Sequence, residues 1–341
     1  MRALGRLLVV AGVGALVLAG CGDSDDATES GQGGDGSGQP TVVVTTNLLG
    51  DVVQMCFGDQ VDVVTIMPVG ADPHDFQASA QQANEMREAD ALIVNGEGFE
   101  EGMVDVIEAA TADATPTYEA ISAVETIEFG EGGHDEHSDE EHADEKDSDE
   151  EHADEEGHDH DHEGADPHFW TDPARVVVSV DGMTAFLVEN VDGINAEELQ
   201  SSADECVAEL EELDAEVEAT LVAIPDGRRV MVTDHDSFGY FAERYGFEVV
   251  GTVIPSGSTT DGASAGALAE LAEVIEAEGV PAIFVGTTVS DDLTQTLAAE
   301  VDGDVEVVEL YTGSLGEPDS EAGTYVGMVS TNATLMAEAL G

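Results

Sequence analysis

The sequence predicts an α/β protein of two Rossmann-like lobes joined by a long helix, and three observations predict it. Short apolar runs rich in β-branched residues alternate with helical stretches early in the chain, and the same rhythm returns late in it. Runs such as Val42-Val43-Val44 and Val63-Val64-Thr65-Ile66 are apolar without a break, as in strands of a parallel sheet covered by helices on both faces. Between the two sets lies one long helical stretch free of Pro and Gly.

In chain order, strands are expected at Thr41 to Thr46, Val61 to Met67 and Ala91 to Val94. Helices are expected at Leu48 to Cys56, Ser79 to Ala89 and Phe99 to Ala112. The later strands are Arg229 to Thr233, Glu248 to Ile254, Ala282 to Val285 and Val305 to Leu310. Phe238 to Tyr245, Ala265 to Glu278 and Leu293 to Val301 are helices among them. Asn195 to Ala223 carries apolar residues at Leu199, Val207, Leu210, Leu213, Val217 and Leu221. As one helix it would be roughly 43 Å long, enough to run along both lobes and restrict hinge closure; the alternative is two helices broken near Ser201-Ser202. The expected organisation is an N-terminal lobe over 41–194, a linking helix over 195–223 and a C-terminal lobe over 224–341.

The first 20 residues stand apart from this fold. Arg2 and Arg6 flank the start of an apolar run from Leu7 to Leu18, followed by Leu18-Ala19-Gly20-Cys21. The run is too short to span a bilayer and reads as a secretion signal, with a lipobox-like end in which Cys21 is lipidated and becomes the new N-terminus. Residues 21–40, rich in Gly, Ser, Asp and Gln, read as a flexible tether. Export leaves Cys56 and Cys206 in a compartment where disulfides persist; they either pair or stand as two buried thiols, and neither belongs to a CxxC motif.

Charge narrows the class of partner. The 341 residues hold 76 Asp and Glu against 8 Lys and Arg, a formal charge of -68, which excludes nucleic acid and attracts cations. The acids are densest over 131–166, where an Asp-Glu-Glu-His-Ala-Asp-Glu run at 139–145 recurs in similar form at 149–155. No aromatic or branched apolar side chain lies between Glu131 and Asp166, so a disordered loop is expected. His134, His137, His142, His152, His158, His160 and His162 lie within it, and their imidazoles interleaved with carboxylates offer many weak sites for divalent cations.

The other three histidines carry the sharper signal. His74 follows the strand ending at Met67, His168 stands in Asp166-Pro167-His168-Phe169-Trp170, and His235 follows Val230-Met231-Val232. Ligands of doubly wound sheets bind beyond the carboxyl ends of strands, where such loops lie. Asp-Pro-His occurs twice, and Pro before His restricts the backbone that presents the imidazole. Three imidazoles converging in an interlobe cleft suit Zn²⁺, whereas Mn²⁺ and Mg²⁺ favour more oxygen ligands. Asp72 and Asp234, each just before a ligand histidine, are candidates to accept the free imidazole N–H. Trp170, the only tryptophan, is expected to pack the cleft wall.

Four motifs together resemble the metal-binding lipoproteins, or solute-binding proteins, of bacterial zinc and manganese ABC importers. They are Gly70-Ala71-Asp72-Pro73-His74, the segment Asp166 to Pro173, the segment Asp234 to Phe241, and Gly323 to Met328. The resemblance runs from about Thr41 to Leu340. It implies a rigid backbone helix between the lobes, one metal held in the cleft, and delivery to a membrane permease. His at 235 and the acidic His-rich loop resemble the zinc-type members, the manganese type having Glu at that position. The family often supplies a fourth, carboxylate ligand where this chain has Gly313, in Thr312-Gly313-Ser314-Leu315-Gly316. Water, a loop imidazole or a carboxylate such as Glu309 or Glu317 would then complete the site. Gly286 also stands where the resemblance implies Glu, and nothing in the sequence accounts for that change.

The function expected is an extracytoplasmic zinc receptor, lipid-anchored and monomeric, delivering Zn²⁺ to an ABC permease. It touches the membrane through its anchor only. The alternatives are a manganese or other divalent-metal receptor, a surface metal buffer or adhesin, and a zinc hydrolase or lyase. Three His with an open position also describe a catalytic zinc site, but there is no HExxH motif and no evident general base. No enzyme activity is therefore expected.

Overall fold

The computed structural model describes residues 38–130, 164–301 and 305–341. Cys21 and the seven histidines between 134 and 162 lie outside the described residues.

The first half contains β1 (Thr41–Val44), α1 (Asn47–Phe57), β2 (Asp62–Thr65), α2 (Ala80–Glu88), β3 (Ala91–Val94), α3 (Val104–Ala112) and β4 (Thr117–Glu119). All its strand pairs are parallel, in the order β2-β1-β3-β4. The valines of β1 are buried on both faces, as their unbroken run requires. Thr46 caps α1 by accepting from the Leu49 N–H, and Ser79 with Gln82 forms a capping box on α2. The helix expected over 99–112 is split: a 3₁₀ turn at Glu101–Met103 leads into α3.

Two long helices follow, α4 (Pro173–Asn190) and α5 (Ala196–Leu221). Asp172 caps α4 through the Ala174 N–H with Pro173 in the first turn, and Asn195 caps α5, which runs unbroken through Ser201-Ser202. Leu199, Ala203, Cys206, Leu210, Leu213, Val217 and Leu221 form one buried stripe along α5 at helical spacing. Each of its larger side chains contributes roughly 1.5 to 3 kcal/mol relative to exposure.

The second half repeats the first topology with β5 (Val230–Thr233), α6 (Gly239–Tyr245), β6 (Glu248–Thr252), α7 (Ala265–Glu278), β7 (Ala282–Gly286), α8 (Asp292–Glu300), β8 (Glu306–Leu310) and α9 (Tyr325–Leu340). The order is β6-β5-β7-β8, again all parallel. The two sheets thus form two α/β lobes.

The lobes share a core. Each sheet has its own apolar layer on one face, around Leu92 and Met86 in the first and Val232 and Ile283 in the second. One continuous cluster then runs from Val42 through α5 to Leu340. Helix α5 packs against α1, α4 and α9. Cys56 of α1 and Cys206 of α5 are joined as a disulfide, with Cα atoms 5.1 Å apart. Among the described residues no helix is long and apolar enough to cross a membrane.

Candidate metal centre

The three histidines outside the 131–166 segment meet between the sheets. His74 lies on the loop after β2, His168 just before the 3₁₀ turn that leads to α4, and His235 just after β5. His235 stands where the second sheet reverses its strand order, since the chain passes from β5 to β6 on one side and β7 lies on the other. The ring centroids are 5.3 to 5.6 Å apart, and all three residues are buried. Their candidate ligand atoms lie within 4.8 Å of one another. A tetrahedral zinc with bonds of about 2.0 to 2.1 Å needs nitrogens roughly 3.4 Å apart, so modest ring rotations close the difference.

Each imidazole is oriented by a carboxylate. Nδ1 of His74 lies 3.0 Å from Glu101 Oε1, Nδ1 of His168 lies 2.7 Å from Asp166 Oδ1, and Nδ1 of His235 lies 2.8 Å from Asp234 Oδ1. A carboxylate accepts here, so Nδ1 of each neutral ring carries the proton and Nε2 keeps its lone pair. His168 Nε2 is buried without a hydrogen-bond partner, a costly state unless another atom takes that lone pair. The donor set therefore fits a divalent ion.

The sequence reading is corrected at Asp72. Its Oδ1 accepts the main-chain N–H of His74, and its Oδ2 accepts from the Thr259 hydroxyl, so the imidazole N–H falls to Glu101. The reason lies outside the turn: Thr259 takes Oδ2 of Asp72, and Glu101, from the 3₁₀ turn after β3, reaches Nδ1 of His74. Asp166, in the second Asp-Pro-His, makes the same main-chain bond and also takes Nδ1 with the same oxygen. Asp166 and Glu101 were missed. The repeated motif is a signal for Asp166, but nothing near His74 in the sequence points to Glu101.

Electrostatics sets the proton load of the cluster. Burial, reinforced by the neighbouring His235 and His74, holds His168 well below the usual imidazole range, so it stays neutral. Burial acts in the same direction on His235, but the Asp234 carboxylate outweighs it and its pKa is raised. Asp234 itself is lowered: burial opposes, while His235 and the N–H groups of Gly286 and His235 prevail. Burial lifts Asp166 to about 7.

The remaining wall comes from aromatic and small residues. Trp170 Nε1 donates to the Thr312 carbonyl at 2.9 Å, and its ring lies 4.6 Å from Phe99 and 5.2 Å from His168. Asn47 of α1 holds the 312–315 segment from the other lobe through Ser314 and the Leu315 N–H. Gly313 lines the void between the imidazoles but brings no ligand, and a Cβ there would lie 3.0 Å from Pro73 Cδ. Glu309 and Glu317 are exposed and are not among the residues lining that void. The structure accounts for Gly286. Its N–H donates to Asp234 Oδ2 at 2.7 Å, and a Cβ would collide with the Thr312 hydroxyl, so a side chain there would require Thr312 to shift.

Two parallel-sheet lobes holding a buried imidazole cluster between them define a metal-binding receptor. Residues 42–339 match the family described as ZnuA, zinc-uptake complex component A, periplasmic, and the chain belongs to that family. It is thus a metal-binding receptor of an ABC importer rather than an enzyme. Its relatives include the zinc-binding protein TroA of Treponema pallidum, 29% identical over 89% of both chains. The manganese-binding lipoprotein MntA of Halalkalibacterium halodurans is 27% identical over 93% of this chain and 92% of that one. A solved structure of the Treponema pallidum periplasmic zinc-binding protein TroA superposes with a TM-score of 0.74 at 28% identity, over 89% of this chain and all of that one.

Proposed function

We propose that this chain is an extracytoplasmic, lipid-anchored and monomeric receptor that binds one Zn²⁺ ion through His74, His168 and His235 and hands it to an ABC permease. The observation that carries the choice of zinc is the donor set: three Nε2 lone pairs, each ring oriented by its own carboxylate, with glycine rather than an acid at 313. Borderline Zn²⁺ accepts a nitrogen-rich set with water as a fourth ligand, whereas Mn²⁺ favours oxygen donors. The lipobox-like sequence at Cys21 supports the anchor. The imidazole-rich segment over 131–166 would act as a collector that raises local ion concentration, so removing 131–163 should lower stoichiometry or loading rate while leaving the tight affinity nearly unchanged.

A manganese receptor is the second reading, favoured by the relatives named as manganese-binding. Calorimetric titration of the metal-free protein with Zn²⁺ and with Mn²⁺ decides between them. One tight zinc site, lost in His168→Ala and much weaker for manganese, supports the zinc receptor. Tighter binding of manganese overturns it in favour of the second reading.

A further inference from the structure

Asp72 and Glu101 each meet His74 with one carboxylate oxygen, Asp72 at the main-chain N–H and Glu101 at Nδ1. Each turns its other oxygen to the second lobe. Asp72 Oδ2 accepts from the Thr259 hydroxyl at 2.7 Å, and Glu101 Oε2 accepts from the Thr260 hydroxyl at 3.3 Å. Ser258 steadies Thr260: its buried hydroxyl lies 2.7 Å from the Thr260 hydroxyl and accepts the Thr260 N–H. Hydrogen bonds to a carboxylate are stronger than neutral ones. Two neighbouring threonines of one lobe thus clamp both groups that fix a ligand of the other.

The loop that bears these hydroxyls is itself fixed to another ligand. It follows β6, and its main chain brackets His235: the Ile254 N–H donates to Asp234 O at 2.7 Å, and the Asp236 N–H donates to Ser256 O at 2.9 Å. Ser256 Oγ accepts the Ser258 N–H and carries the brace on to the threonines. The loop therefore belongs with His235 and the second sheet, whereas Asp72 and Glu101 stand on loops of the first. His235 and His168 are held differently. The other oxygen of Asp234 accepts the Gly286 N–H of its own lobe, and Asp166 Oδ2 is buried without a hydrogen-bond partner among the described residues.

We propose that Thr259 and Thr260 are positioning residues for His74: their hydroxyls, donated from the second lobe, fix the first-lobe imidazole only while the lobes are in contact, so parting of the lobes frees His74 first. The proposal rests on the reading of His74, His168 and His235 as the ion's ligands. Without the two hydroxyls the three imidazoles remain and the ion still enters. What shortens is its residence, because the groups that orient His74 are no longer held.

The test is stopped-flow mixing of the full-length protein with Zn²⁺, then release into excess chelator. Trp170, the only tryptophan and 5.2 Å from His168, reports the cleft rather than the distant surface. With Thr259→Val and Thr260→Val together, zinc release should accelerate about tenfold while association changes less than about threefold. Thr259→Ser with Thr260→Ser keeps both hydroxyls and should restore the slow release. Coupling separates positioning from a merely structural role: in a Glu101→Ala background, Thr260→Val should add nothing further. Unchanged release in the valine pair would overturn the proposal, as would a serine pair as fast as the valine pair, or losses from Thr260→Val and Glu101→Ala that multiply. If the valine pair fails to fold, the single variants Thr259→Val and Thr260→Val decide. A wild-type chain without tight zinc binding would instead overturn the receptor reading.

Discussion

Asp166 Oδ1 receives two bonds from His168, the main-chain N–H at 2.9 Å and the imidazole Nδ1 at 2.7 Å. One oxygen thus sets both the backbone turn and the ring orientation of the most deeply buried ligand. In the matching motif, Asp72 sets the turn of His74 while Glu101 orients its ring. Carboxylates that orient metal-binding histidines typically contribute 10 to 100-fold in affinity. Asp166→Asn should weaken zinc binding by roughly that factor. Glu101→Gln should do likewise, and Asp72→Asn should cost less. Calorimetric Kd values check the order, which equal losses in all three variants would contradict.

Proton and ion compete for the same Nε2 lone pairs, so affinity must fall as pH falls. The competition should begin at His235, whose pKa is raised by Asp234 against the effect of burial. It therefore sets in above the ordinary imidazole value of about 6.5, while His168, held well below it, contributes only in more acid solution. Zinc Kd measured from about pH 8 to 6 should rise as pH is lowered, and cleft zinc should be gone by about pH 4.5. Retention at that pH would argue against a site built from imidazoles.

The disulfide between Cys56 and Cys206 closes a 150-residue separation and ties α1 to the long helix. Constraining so long a loop in the unfolded chain typically stabilises by about 2 to 4 kcal/mol. Cys56→Ser with Cys206→Ser should lower the denaturation midpoint accordingly while leaving the zinc site intact, since neither cysteine lines the void between the imidazoles. An unchanged midpoint in urea would show that the cross-link adds nothing.

Outside the first 20 residues and the 131–166 segment, 57 acids face five arginines. Those arginines are already engaged. Arg87 pairs with Asp113, Arg175 with Asp172 and Glu243, and Arg244 with Asp214, while Arg228 and Arg229 donate to main-chain carbonyls. The remaining acids repel one another, and salt screens that repulsion. Thermal stability should rise between about 0.05 and 1 M salt, as calorimetry or dichroism would register.

Much of this architecture was legible because buried parallel strands leave unbroken apolar runs, as in β1 and β7. Strand β4 left no such mark: Thr117-Tyr118-Glu119 is three residues at a sheet edge. Helix α4 was obscured by Val176-Val177-Val178, whose branched side chains favour strands, although Asp172 and Pro173 capped it in plain view. The three imidazoles were legible because so few histidines lie outside the acidic segment. Glu101 was not, because its contact with His74 depends on how the loop after β3 folds back, which no local pattern encodes.

Helix α9, last of the described elements, closes the fold. Its residues Tyr325, Ala333, Met336 and Leu340 complete the apolar cluster begun by Val42, and it packs on α1 and α5. Without its sixteen residues the buried stripe on α5 would lack one of its packing partners. One helix thus closes the packing of both halves, so its loss would loosen the two together rather than either one alone.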